Sequence, residues 1–121
     1  MDPIALVAPF AVTAAEVQLA PGTLDPEQIQ HGTPVVRERT LWTSVDGRQE
    51  VGVWEITPGV VIDTEADEAF VVLSGRATVA IAGGPTLTLA PGTVGVLRAG
   101  DRTVWTVTET LRKVYSATIA G

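Results

Sequence analysis

The chain has no cysteine. That one absence excludes disulfides, thiolate zinc sites, iron–sulfur clusters and thiol nucleophiles together. Histidine is nearly absent too: His31 is the whole imidazole supply, so a multi-histidine metal site cannot be assembled within one chain. Basic residues are few and scattered, the formal net charge is −6, and no basic stripe exists to neutralise phosphates, so no nucleic-acid partner is expected. No apolar run approaches the roughly 18 residues a membrane span needs, so no membrane partner is expected either. Met1 to Phe10 is apolar, but Asp2 and Pro3 stand where a signal peptide would carry lysine or arginine. A cytoplasmic location is the expectation.

What is present is a succession of strand signals. With 121 residues and 45% hydrophobic side chains, the chain can bury a real core as one domain. Val51 to Ile56 reads as a strand closed by Thr57-Pro58-Gly59, and Ala69 to Leu73 as another closed by Ser74-Gly75. Ala77 to Ile81, Thr86 to Leu89, Val94 to Leu97, Thr103 to Val107 and Arg112 to Ile119 continue the series, with Gly-Gly and Pro-Gly turns between. No amphipathic helical stretch interrupts them, so the pattern predicts an all-β antiparallel barrel or sandwich.

One short helix is expected ahead of the strands. Asp25-Pro26-Glu27-Gln28 has the N-cap, the N1 proline and the N3 glutamine of a capping box, and Gly32 stands at a C′ stop. This places about two helical turns in an N-terminal arm, 1–35, ahead of a barrel over 36–121, with His31 capping the helix end. The apolar stretch from Ile4 to Leu19 is expected to add a strand to this barrel or to a second subunit's edge. Leu19-Ala20-Pro21-Gly22-Thr23 recurs as Leu89-Ala90-Pro91-Gly92-Thr93, which reads as one turn chemistry used twice.

Gly52-Val53-Trp54-Glu55, Pro58-Gly59, Asp67-Glu68, Gly75, Pro91-Gly92, Ala99-Gly100, Trp105 and Arg112-Lys113-Val114-Tyr115 fall in an order that resembles the small single-domain cupins of the ureidoglycine-aminohydrolase-like branch. The resemblance implies a cupin-type double-stranded β-helix, or jelly-roll barrel. It also implies two motifs whose three histidines and one glutamate bind a divalent metal. Glu68 takes the glutamate place. The His-x-His places fall on Val61 and Asp63, or on Ile62 and Thr64; Arg98 stands for the second motif's proline and Thr103 for its histidine. The stretch from Gly59 to Gly75 is also three or four residues shorter than the motif. No metal cofactor is therefore expected. Asp63 and Glu68 remain as weak candidates for a hard divalent cation.

The candidate pocket-lining residues are Glu68, Phe70, Thr103, Trp105, Arg98 and Tyr115. A carboxylate pointing inward with Phe70 and Val72 needs a partner, and Arg98 or Arg76 is the expected one. Trp105 shares the face of Thr103 and would form an aromatic wall. Trp54 and Trp42 are assigned to core packing. Arg98 at the barrel mouth suits a carboxylate ligand or a solvated rim charge. Tyr115 is expected to face the pocket, with Lys113 belonging to the opposite face. The leading expectation is a barrel binding an unidentified small molecule without a firmly bound transition metal. The alternatives are a metal-dependent enzyme of the ureidoglycine-aminohydrolase type, acting on a small nitrogenous acid, and a structural or regulatory homodimer with a packed barrel. A homodimer is expected in any case.

Overall fold

The computed structural model describes residues 6–119. Ile4, where the expected extra strand begins, lies outside the described residues, as do the last two positions of the expected barrel segment. The described residues are all-β, with nine strands among them in one curled antiparallel sheet: β1 (Ala20–Pro21), β2 (Ile29–His31), β3 (Val36–Thr43), β4 (Gln49–Ile56), β5 (Gly59–Thr64), β6 (Glu68–Ile81), β7 (Thr86–Leu89), β8 (Val94–Leu97) and β9 (Arg102–Thr118).

Two long strands organise the sheet. β6 and β9 pair along nearly their whole lengths, from Glu68 opposite Ala117 to Ile81 opposite Thr103. The first half of β9 also pairs with β5 and its second half with β4, while β6 carries β7 and β8 on its other edge. The ribbon turns where the register shifts between Val72 and Ala77. Gly75 sits at that irregularity with φ +93°, and a Cβ there would stand 2.1 Å from the Thr110 carbonyl oxygen. Only glycine lets the two backbones approach so closely.

Alternation decides which side chains enter the curl. On β9, Thr103, Trp105, Val107, Leu111, Lys113 and Ala117 are buried while Arg102, Val104 and Thr108 are exposed. Of these, Trp105, Val107 and Leu111 meet Ile56, Val61, Phe70, Val72, Val79, Leu89 and Leu97 in one apolar core. A second, smaller core lies on the outer face, where Leu6, Phe10, Ala14, Val17 and Leu19 pack against Leu41, Val53 and Val114. Arg112 fastens this arm: its guanidinium bonds Glu55 at 3.2 Å and donates to the carbonyls of Ala14, Ala15 and Val17 at 3.0 to 3.3 Å.

The expected N-terminal helix is corrected by the structure. The capping box forms, with Asp25 accepting from the Glu27 amide and Gln28 accepting from the Asp25 amide. It nevertheless caps only a single 3-10 turn, Pro26–Gln28. Ile29–His31 then leaves the turn as β2 and pairs with β5, so His31 is an exposed strand residue and not a helix cap. Two isolated helical turns gain little in water. Pairing with the free edge of β5 satisfies the backbone and lays Ile29 against the core. The repeated pentapeptide also diverges: Ala20-Pro21 is strand paired with β3, whereas Gly92 makes a turn at φ +89°.

Candidate functional site

One end of the curl holds a cavity of about 240 Å³ whose wall includes Trp54, Glu68, Trp105, Lys113 and Tyr115. A larger hollow of about 560 Å³ lies outside, over Ile62, Ala80, Ile81 and Val104, and is shallow and mainly apolar. The inner cavity is the better candidate, because converging polar groups on an aromatic wall define binding sites more than volume does.

Lys113 is the centre of this cavity. It is the only lysine in the chain, and its side chain is 7% exposed. Its ammonium contacts the Glu68 carboxylate at 2.5 Å. It also stands 4.8 Å from the Trp54 ring centroid, 4.7 Å from Phe70, 4.9 Å from Trp105 and 5.9 Å from Tyr115. Four rings thus offer their electrons to one cation while a carboxylate neutralises it. The rings support each other as well: Trp54 and Phe70 lie 5.8 and 6.1 Å from Trp105 in tilted contacts.

Carboxylates ring the rest of the cavity. The Glu65 carboxylate, on the β5–β6 loop, accepts from Thr103 at 2.7 Å and from the Trp105 indole at 3.0 Å. The loop is held by backbone bonds between Glu65 and Gly100–Asp101. Glu50 accepts from Tyr115 and from Thr40, both at 3.0 Å. Burial, and next the Glu50 charge, push the Tyr115 phenol well above its ordinary value. Glu38 and Asp63 complete the wall. Burial, reinforced by Glu65, pushes the Asp63 carboxyl above the usual aspartate value, against the pull of the Thr64 amide.

A raised carboxyl pKa means the fold disfavours the ionised form. The resulting handicap is absent below the ordinary aspartate range and grows as pH rises through the folded-state value. Asp63→Asn is therefore expected to raise Tm at neutral pH, with the gain shrinking as the solution is acidified. Calorimetry across that range checks it; an unchanged or lower Tm at neutral pH contradicts it.

Of the residues singled out in the sequence, Glu68, Trp105, Tyr115 and Asp63 line the cavity. Phe70 is 2% exposed and forms the layer behind it. Thr103 is buried and serves Glu65 rather than the cavity surface. Arg98 lies outside, with its side chain 80% exposed and paired with Asp101 at 3.3 Å. It caps a turn with its own neighbour, and the partner of Glu68 is Lys113, neither Arg98 nor Arg76. Lys113 belongs to the same face as Tyr115, because two residues apart on a strand is one full period; the parity expected for it is corrected. Trp54, assigned to core packing, is a cavity wall directly opposite Lys113 in the β4–β9 register. Period-two reading from Thr103 and Trp105 would have found Lys113. No sequence signal marks Glu65, which reaches in from a loop.

The divalent metal implied by the cupin resemblance does not fit this arrangement. The one motif carboxylate in place already holds an ammonium, and aromatic rings stand around it where further donors would be needed. Asp63 instead accepts from the Thr64 amide at 2.8 Å and the Gln28 amide at 3.5 Å. Among the described residues, no three ligating side chains gather to hold a metal.

Comparison with known structures agrees on the fold. A protein of unknown function in the DUF861 family from Pseudomonas syringae pv. tomato str. DC3000 superposes with a TM-score of 0.77 at 25% identity, over 85% of this chain. This chain spans only 45% of that protein's length. The Clostridium difficile EutQ protein gives a TM-score of 0.71 at 18% identity, covering 89% of this chain and 85% of that one. A putative ethanolamine utilization protein EutQ from Salmonella typhimurium LT2 gives 0.63 at 21% identity, covering 86% and 96%. No curated protein sequence matches. Among the described residues no helix is long and apolar enough to cross a membrane. Residues 43–115, more than half of the chain, match the EutQ-like cupin domain, and the curled sheet with its inward-facing Glu68 is consistent with that match, so the chain belongs to the EutQ-like cupin family.

Proposed function

We propose that this cupin barrel binds a small organic molecule in its inner cavity and keeps no tightly held transition metal there. The observation that carries this reading is the Lys113–Glu68 pair. An internal ammonium, enclosed by four rings, occupies the surroundings of the single motif carboxylate and repels a divalent ion. Beside it the cavity keeps an aromatic wall, a tyrosine hydroxyl and several carboxylates, a lining that suits a compact neutral or cationic polar molecule better than an anion. The reading includes a homodimer, supported by the edge strand β8, which exposes Val94 and Val96 side by side with β6.

The test uses Trp54 and Trp105 as reporters. Purified protein is expected to carry metal far below one ion per chain and to give a saturable change in tryptophan emission with ethanolamine or glycolaldehyde, unaffected by chelator. Stoichiometric iron, nickel, manganese or zinc would sink the reading, as would emission indifferent to both molecules. Light scattering on the same sample reads the dimer, and a monomeric mass removes that part.

A further inference from the structure

A primary amine is both a cation and, once deprotonated, a nucleophile. The only lysine of this chain faces the inner cavity, and a carboxylate touches its nitrogen. We propose that Lys113 is a covalent capture site for small neutral aldehydes, which it holds as a protonated Schiff base. This rests on the reading that the inner cavity admits a small molecule.

The chemistry balances within the pair. The Lys113 ammonium passes one proton to Glu68, and the freed amine forms a bond to the carbonyl carbon. The carbonyl oxygen, becoming the hydroxyl of a carbinolamine, takes up the proton that the attacking nitrogen sheds. It then leaves as water with the proton that Glu68 returns, and the nitrogen–carbon double bond forms. Ammonium plus aldehyde becomes iminium plus water, with no net change of charge and no oxidant or reductant. The surroundings suit the product as well as the reactant. The iminium is a cation on the same nitrogen, so the four rings and the Glu68 carboxylate that hold the ammonium also hold it. Glu68 is 13% exposed, so the proton it takes stays beside the nitrogen and is available for the dehydration step.

The same wall selects the aldehyde. Glu38, Glu50, Asp63 and Glu65 line the approach, so an aldehyde bearing a carboxylate meets like charges while a neutral one does not. The cavity volume of about 240 Å³ limits the ligand to a compact molecule.

The test is reductive trapping of the native protein with cyanoborohydride and glycolaldehyde, read by peptide mass spectrometry. Apart from the chain's α-amine, Lys113 is the sole primary amine in the sequence. The α-amine is thus an internal standard in each molecule. Lys113 is expected to be modified at least tenfold faster than the α-amine, and the preference should disappear in urea. Glyoxylate, the anionic counterpart, should lose most of that advantage. Lys113→Arg, which keeps a cation in the cage, should leave only α-amine labelling. Lys113 labelled no faster than the α-amine, or equally fast in native and unfolded protein, overturns the proposal. If tryptophan emission still saturates with glycolaldehyde while no Lys113 adduct forms, covalent capture fails and the binding cavity stands. If neither is seen and emission is indifferent to ethanolamine as well, both fail.

Discussion

Replacing Lys113 by methionine is expected to cost roughly 3 to 5 kcal/mol of folding stability, the range seen when one partner of a buried ion pair is removed. Methionine has nearly the length of lysine and is apolar, so the cage keeps its packing and loses only the charge. Glu68, whose side chain is 13% exposed, is then a carboxylate among aromatic rings with no cation beside it. The companion experiment separates pairing from packing. Glu68→Leu combined with Lys113→Met removes both charges, and most of the loss should return, because an apolar pair of similar volume can match a buried ion pair. Urea denaturation of the two single variants and the double variant gives the coupling directly. Additive losses would mean that the two side chains act independently and that the cage is ordinary core.

Gly75→Ala is expected to cost roughly 3 kcal/mol or more, through overpacking against backbone added to a strained dihedral. The new methyl would lie 2.1 Å from the Thr110 carbonyl oxygen and 2.6 Å from the Leu111 Cα, so the β6–β9 ribbon must part at its turn. Gly83→Ala provides the control. Its φ is +72° and nothing lies within 4 Å of a Cβ there, so it meets the dihedral strain alone, about 1 to 2 kcal/mol. Thermal unfolding of both variants distinguishes the two contributions. Equal losses would show that the close approach at Thr110 relaxes freely.

Several parts of this protein were readable one residue at a time. The strand runs and their Pro-Gly and Gly-Gly punctuation mark an all-β chain, because alternation and turn chemistry are local. Asp25 and Gln28 marked a capping box that does form, yet the box says only where a turn begins. Whether the chain continued as helix depended on the open edge of β5, some thirty residues away in sequence. Glu68 was identified by the place it takes, ahead of Gly75, in the motif that the cupin resemblance implies, and Trp105 by its shared face with Thr103. Lys113 was assigned to the wrong face, although its distance of two residues from Tyr115 already placed both together.

The sequence by itself determined the class of fold and the absence of thiol and multi-histidine chemistry, which follow from composition and from the covalent geometry that turns successive side chains to opposite faces; the resemblance to cupins added Glu68 as the motif glutamate. Only the tertiary structure decided what that glutamate does. Its partner is forty-five residues away on the neighbouring strand β9, where Lys113 lies opposite Val72 and its side chain reaches along the inner face to Glu68, itself opposite Ala117. The rings around the pair come from three separate strands, β4, β6 and β9. An ion pair and an aromatic cage are properties of distances between strands, and those are set by how the long ribbon turns at Gly75 and closes the sheet on itself.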